Sequence, residues 1–277
     1  MRYWRRMTDH TLVRPWNWRL SACSALIYAL AFNLIFFIQE LFLVLPKALT
    51  PGLRPSLYHN NHTWTGENPL AALFQGTGAL ATCLAGFVCA LVLRVRPPRS
   101  SAVRLFLIWM IYNGFLQALP QVVVGAFVPA NDVGMAMDYL HWSAAAKKLG
   151  ALVALIAIAA IALLLRKPIL SLAENPDEIA NPRERTWFVL RVATLPALAA
   201  ILLIIPFRVP RNWIEVAAVP VVVTVIGIIW IQAGAWAVGS ARANGKLGSK
   251  SIGYSLGAVL LLLLIFQVLL RPGVQFY

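Results

Sequence analysis

Long apolar runs separated by short polar connections dominate the hydrophobic pattern of this chain. A membrane-spanning helix needs about 20 mostly apolar residues, and runs of this kind recur along almost the whole sequence. We count seven of them, at residues 20–46, 69–93, 105–129, 149–166, 187–206, 216–240 and 252–270. The pattern predicts an all-α fold, a polytopic membrane helix bundle of about seven transmembrane helices.

The composition agrees with a membrane protein and leaves no room for a soluble domain. Of the 277 residues, 60% are hydrophobic and only 12% are charged, which is too apolar for an ordinary soluble protein. The connections between the runs are too short to form separate units. We therefore predict a single transmembrane domain over 1–277, made of a basic cytoplasmic N-terminal segment at 1–19, the helix bundle at 20–270 and a short outer tail at 271–277.

The positive charges alternate from one connection to the next. Sixteen of the 24 Lys and Arg residues precede the first run or lie in the connections after the second, fourth and sixth runs. Seven lie in the other connections and the tail, and Arg191 is set aside as a snorkelling residue at the start of a run. Because Lys and Arg mark cytoplasmic loops, we expect the N-terminus inside and the C-terminus outside.

The net charge of +14 therefore predicts contact with the lipid bilayer and its anionic head groups, and it does not indicate a nucleic-acid partner. We expect a multi-pass protein of the cell membrane. No cofactor follows from this pattern.

Polar residues within the apolar runs are the main functional signal, because a polar group inside a bilayer is costly. Asn33 and Glu40 lie two turns apart in the first run. The third run carries Asn113, Gln117 and Gln121 at four-residue spacing, which places them on one helix face. This amide stripe would be unsatisfied in lipid, so we expect it to face the interior of the bundle.

The two outer connections add further polar groups on the same side. The first supplies His59, His62 and Glu67, and the second, PANDVGMAMDYLHW, supplies more acids and a histidine. Together these segments predict an outward-facing polar pocket. Its predicted lining residues are Asn33, Gln39, Glu40, Asn113, Gln117, Gln121, Asn131, Asp132, Asp138 and His141.

Two interpretations of the stretch LYHNNHTW remain open. His59 and His62 could ligate one zinc ion if that segment is helical, with Asp132 as a further ligand and Glu40 activating a water. Alternatively, His62 and Asn61 satisfy loop backbone groups near Trp64 at the membrane interface. Zinc is thus a possible cofactor under the first interpretation only.

Three stretches together resemble a known class of membrane protein: FNLIFFIQELFLVLPK (32–47), LYHNNHTW (57–64) and YNGFLQALPQVVVGAFVPANDVGMAMDYL (112–140). They are similar to uncharacterised bacterial multi-span proteins related to the site-2 protease class of intramembrane zinc metallopeptidases. The resemblance covers roughly residues 30–165 and implies a bacterial inner-membrane location.

In that class a His-Glu-x-x-His motif lies in an early span. The resemblance implies that Glu40 matches the catalytic glutamate, a general base on metal-bound water, and that Asp132 matches a later acidic ligand. Gln39 and Leu43 stand where the two zinc ligands belong. The resemblance therefore implies a shared scaffold with a degenerate zinc motif.

Three functions follow as hypotheses. The favoured one is a non-catalytic membrane protein whose outward pocket binds a partner helix, a lipid or a small amphipathic molecule. The alternative is a metal-dependent intramembrane hydrolase or peptidase that uses Glu40 as the catalytic residue with His59, His62 and Asp132. A small-solute transporter ranks last, because the sequence shows no inverted repeat.

Overall fold

The structure, a computed structural model, describes residues 16–277 and confirms the seven-span bundle. Only the last four residues of the predicted N-terminal segment 1–19 fall within this range, and the remainder lies outside the described residues. Seven helical segments are long and apolar enough to cross a membrane. They are Trp18–Ala48, Leu70–Val95, Ser101–Phe127, Ala144–Leu170, Pro182–Arg208, Ile214–Ala233 and Ser251–Leu270.

Three spans contain π-helical turns, a fourth consists of two α-helices joined by a short turn, and one short α-helix lies outside the spans. The α-helices are α1 Trp18–Ala48, α2 Leu70–Phe74, α3 Thr77–Val95, α4 Ser101–Phe127, α5 Asp132–Tyr139, α6 Ala144–Leu170, α7 Pro182–Val189, α8 Leu195–Arg208, α9 Val219–Ala233 and α10 Ser251–Leu264. Wider π-helical turns occupy Leu190–Thr194, Ile214–Ala218 and Ile265–Leu270, and 3-10 turns occupy Pro176–Ile179 and Ala235–Ala237. Two π-turns directly precede the proline-containing starts of α8 and α9, where the proline lacks a backbone N–H.

Helices α1 and α4 form the centre of the bundle and are the most buried spans. Between them lie Tyr28, Trp109 and Tyr112, whose rings pack edge-on or tilted with centroids 4.8–5.8 Å apart. Each polar ring atom has a partner: Trp109 donates to Ser24, Tyr28 bonds Thr224, and Tyr112 donates to backbone carbonyls of α9. These bonds satisfy the ring polar groups where water is absent.

The small residues of α3 allow it to lie close to α1 and α4. A Cβ placed on Gly78 would come within 2.9 Å of Gln39 and Leu43, and one on Gly86 would meet Phe115 at 3.1 Å. The facing residue of α4, Gly114, lies against the backbone of Gly86 in turn. The four-residue spacing of small residues therefore serves helix packing.

A small antiparallel sheet was not predicted. Strands β1 Arg54–Tyr58 and β2 Asn61–Thr65 form a hairpin, and β3 Val274–Gln275 pairs with the other edge of β1. Tyr, Thr and Trp favour strands, and the pair His59-Asn60 makes the turn. The sheet joins the first connection to the C-terminal tail at one end of the bundle, called here the sheet end.

The opposite end gathers the basic connections. Arg104 donates to Asn244 and Ser171, and the backbone of Lys246 bonds Ser101, so the connections after the second, fourth and sixth spans lie together. This grouping is the one that the alternating charges predicted. The assignment of this end to the cytoplasm stays a prediction.

Candidate functional site

A cavity of about 520 Å³ lies between the spans at the sheet end. One part of its wall is apolar and comes from α1, α4 and the segment 214–223. Its apolar residues are Phe32, Phe36, Pro120, Val124, Ile214, Ala218, Val219, Val222 and Val223. Its polar residues are Gln39, Glu40, Asn60, Asn61, Gln117, Gln121, Asn131, Asp132, Arg208, Arg211 and Glu215.

The amide stripe of α4 faces α1, as its spacing predicted. Gln121 donates to the side-chain oxygen of Gln39 at 2.8 Å, and Gln117 donates to the carbonyl of Phe32 at 3.0 Å. These bonds cross between two spans and fix the amides at the cavity wall. Six of the ten predicted pocket residues therefore line one cavity, namely Gln39, Glu40, Gln117, Gln121, Asn131 and Asp132.

Two predicted lining residues lie deeper in the bundle instead. Asn33 donates to the carbonyl of Ala29 and Asn113 to that of Trp109, so each amide caps a carbonyl of its own helix. Both are fully buried and do not border the cavity. The helix face was predicted correctly, but the cavity ends before it reaches their level.

Asp138 and His141 were wrongly placed in the pocket. The short helix α5 packs Val133 and Met137 inward, and Asp138 lies on its other side, where it pairs with Lys147. His141 is exposed in the turn after α5, where its backbone has φ 55°. The chain turns back into α6 here, which carries both side chains away from the cavity.

Glu40 belongs to a buried polar network that ties the hairpin to α1. His62 Nδ1 lies 2.8 Å from Glu40 Oε2, and His62 Nε2 lies 3.1 Å from Gln75 Oε1. Lys47 donates to the same Gln75 oxygen at 3.0 Å and to the carbonyl of Leu43 at 2.7 Å. Trp64 covers the network, with its ring stacked on His62 and 4.7 Å from the Lys47 ammonium.

This geometry determines where one proton lies. Because Lys47 donates to the Gln75 oxygen, that atom accepts, and His62 Nε2 must carry the hydrogen that points to it. The short contact between His62 Nδ1 and Glu40 then holds a single shared proton. The pair is either an imidazolium with a carboxylate or two neutral groups. In both cases the Glu40 carboxyl group is already hydrogen-bonded to His62.

The predicted metal ligands do not converge. The segment is a hairpin and not a helix, so His62 projects from β2 toward Glu40 while His59 lies in the turn near Arg208. Among residues 16–277, no group of three or more His, Cys, Asp or Glu side chains is arranged to hold a metal ion. The set His59, His62 and Asp132 therefore does not fit zinc.

The environment of His59 also disfavours its charged form. Burial lowers the pKa of His59, the nearby backbone of Val209 opposes this in part, and the positive charges of Arg271, Arg211 and Arg208 lower it further. Neither ring nitrogen makes a well-formed hydrogen bond to a described residue. His59 is thus a neutral side chain that fills the turn.

Asp132 faces the cavity from the first turn of α5. Burial raises the pKa of its carboxyl, the nearby charge of Glu40 raises it further, and the charges of His62 and Lys47 act in the opposite direction. The raised pKa means that the carboxyl of Asp132 keeps its proton to a higher pH than an ordinary aspartate does.

Arg208 is the main cavity residue that the sequence did not reveal. It ends α8, is only 4% exposed, and places its guanidinium 3.9 Å from the centre of the Phe36 ring. Its position directly after a long apolar run suggested only a loop charge. Glu215 follows seven residues later, and its backbone carbonyl accepts a hydrogen bond from Arg208 Nε. An acidic residue so soon after Arg208 was the available sequence signal that the chain folds back between the two spans.

Comparison of the chain with protein-family models, with curated proteins and with solved structures gives no match.

Proposed function

We propose that this multi-pass membrane protein binds a small amphipathic molecule in the sheet-end cavity and does not transform it. The observation that supports this proposal is the division of the cavity wall into an apolar part and a polar, charged part within one volume of about 520 Å³. That size lies within the range of about 300–1,000 Å³ that is usual for small-molecule sites.

The cavity volume favours a small molecule or lipid over a partner helix. A helix about 10 Å across rises 5.4 Å per turn and so fills roughly 400 Å³ with each turn. The cavity would hold little more than one turn. A flexible amphipathic chain fits the available space better.

The state of the motif residues favours binding without catalysis. In the resemblance to site-2 proteases, which stays a prediction, zinc ligands would occupy positions 39 and 43. Here the Gln39 amide is used to hold Gln121, and Leu43 is buried against Gly78. Glu40 shares its proton with His62. These residues support a structural role for the motif.

We propose that the cavity opens toward the outside of the cell, with the N-terminus in the cytoplasm and the protein in a bacterial inner membrane. The excess of Lys and Arg at the end opposite the sheet supports this orientation. A ligand would then enter from the outer face or the outer leaflet.

A probe that reports proximity to tryptophan tests the proposal. The protein is placed in nanodiscs of uncharged phosphatidylcholine, and binding of a dansyl-labelled fatty alcohol is measured by energy transfer from the protein's tryptophans. In the variant Val222→Trp, the new ring fills the cavity, and we expect the affinity to fall by about tenfold or more.

Val221→Trp is the matched control. Val221 is adjacent on α9, 40% exposed and not part of the cavity wall. The added tryptophan is the same, so any change in the optical signal itself cancels. Equal binding by both variants and the unmodified protein would contradict the proposal.

A further inference from the structure

We propose that the bound molecule carries an acidic group, a carboxylate or a phosphate, and that Arg208 is its binding residue. This inference rests on the proposed function and adds the chemical class of the ligand. The geometry around Arg208, and the commitment of the neighbouring charges, support it.

The guanidinium of Arg208 is buried but incompletely bonded. Within residues 16–277 its one hydrogen bond runs from Nε to the carbonyl of Glu215 at 3.2 Å, and Nη1 is buried with no partner. A buried, unpaired donor on a charged group is unfavourable, and native proteins rarely leave one. An acidic ligand group in the cavity would supply the missing acceptor.

The carboxylates that act on Arg208 are already engaged. The acidic side chains that act on it belong to Glu40 and Glu215. Glu40 is bonded to His62, and Glu215 pairs with Arg211 and accepts from Asn212. No ion pair to Arg208 exists within the described part of the chain, which leaves its positive charge unneutralised at the cavity wall.

The residue is also held in place for binding. Asn60 of the hairpin turn donates to the carbonyl of Arg208 at 2.7 Å, and the guanidinium carbon lies 3.9 Å from the centre of the Phe36 ring. This ring contact leaves the N–H groups available to a hydrogen-bond acceptor. An arginine in this arrangement suits the paired oxygens of a carboxylate or phosphate.

The apolar part of the ligand has a route to the lipid. Among the residues of the cavity wall, Val124, Ile214 and Val222 are apolar and 44%, 53% and 54% exposed. They belong to α4 and to the segment 214–233, and we infer that the cavity opens between these two spans. A hydrocarbon tail can extend there while the acidic group stays at Arg208.

Two probes with the same chain and different head groups test the inference. The dansyl-labelled fatty alcohol is compared with the corresponding fatty acid, both in phosphatidylcholine nanodiscs. We expect the unmodified protein to bind the acid about tenfold or more tightly than the alcohol. Equal affinities for the two probes, with Val222→Trp still blocking both, would overturn the acidic-ligand inference and leave the proposed function standing.

Substitution of the arginine identifies the residue. In Arg208→Gln the preference for the acid should fall to about one, while alcohol binding persists and shows that the protein is folded. Arg271→Gln is the control, because Arg271 is exposed at the same end of the bundle and does not line the cavity. If Arg271→Gln removes the preference and Arg208→Gln does not, the assignment to Arg208 is wrong. If Arg208→Gln fails to fold, the preference of the unmodified protein still tests the ligand class.

Competition distinguishes the source of the acidic group. Phosphatidylglycerol in the nanodisc should displace the acid probe if a lipid head group is the occupant, whereas added palmitate alone should displace it if the occupant is a free amphiphile. Either result supports the acidic class. If neither displaces the probe from the unmodified protein, the inference fails.

Discussion

At the scale of single residues, Gly114 illustrates how closely the spans approach each other. A Cβ at this position would come within 2.7 Å of the Thr82 carbonyl oxygen and 2.8 Å of the Gly86 Cα, both backbone atoms that cannot rotate away. We expect Gly114→Ala to force α3 and α4 apart and to cost about 1–3 kcal/mol. A fall in Tm of several degrees, measured in detergent, is the expected result.

Gly253→Ala is the matched control for this prediction. Gly253 lies in α10, where an added Cβ meets no atom within 4 Å, and alanine is the better helix former. Its Tm should be unchanged or slightly raised. A tolerated Gly114→Ala would mean that the α3–α4 contact is looser than described.

Asp132 gives a pH-dependent prediction. Because its pKa is raised in the folded protein, the folded state holds this proton more firmly than the unfolded state does. The resulting stability is fully present below the unfolded pKa, near 3.8, and is lost as the pH rises through the folded pKa. Asp132→Asn removes this titration. The Tm of the variant minus the Tm of the unmodified protein should therefore increase as the pH is raised from 4 to 7.

His62, Lys47 and Glu40 act on this titration, and the Asp132→Asn variant loses their interaction with the Asp132 charge as well. The measurement is therefore the difference in Tm between variant and unmodified protein at each pH. A difference that is constant, or that shrinks as the pH rises, would contradict the raised pKa.

The residues of the cavity were partly predictable for a clear physical reason. The stripe Asn113, Gln117 and Gln121 lies within one helix, so its spacing alone fixes a common face. Arg208 reaches the cavity through a return of the chain between two spans, and no local periodicity encodes such a return. Gln75 and Lys47 likewise meet only through the tertiary contact of α1 with the second span.

At the scale of elements, the Glu40–His62 contact connects a spanning helix to the hairpin. Both side chains are less than 10% exposed and 2.8 Å apart, so each alanine substitution leaves the other group buried without its partner. A double-mutant cycle on Glu40→Ala and His62→Ala, followed by unfolding in mixed micelles, should give a coupling of about 1–3 kcal/mol.

Asp138 and Lys147 provide the control pair for this cycle. Their ion pair joins α5 to α6 at the surface, and Asp138 is 48% exposed. Exposed pairs are typically coupled by less than about 1 kcal/mol. Equal coupling in the two cycles would show that the buried pair does not hold the hairpin to α1.

The helices were predictable and the sheet was not. Each span is recognisable in the sequence as a run of some 20 apolar residues. The strands are much shorter: β1 and β2 have five residues each and β3 has two. The pairing of β1 with β3 joins residues more than 200 positions apart, which no local pattern indicates. The hairpin has a chemical consequence, because a helix would have brought His59 and His62 together and the hairpin separates them.

At the scale of the whole molecule, the cavity depends on segments that are distant in sequence. The hairpin, the start of α5 and the return between α8 and α9 meet at one end because two spans separate each of these connections from the next. The sequence predicted this convergence on one side from charge and polarity. It did not predict the arginine that gives the cavity its unneutralised positive charge.

The pairing of β3 with β1 places the first connection and the C-terminus on the same side of the membrane, and the charge pattern predicts that this side is outside. In a variant whose native cysteines are replaced, Glu67→Cys and Tyr277→Cys should react with a membrane-impermeant maleimide in intact cells. Ser249→Cys, in the basic connection, should react only after permeabilisation. Labelling of Ser249→Cys alone in intact cells would reverse the orientation, and different behaviour at positions 67 and 277 would contradict the odd number of spans.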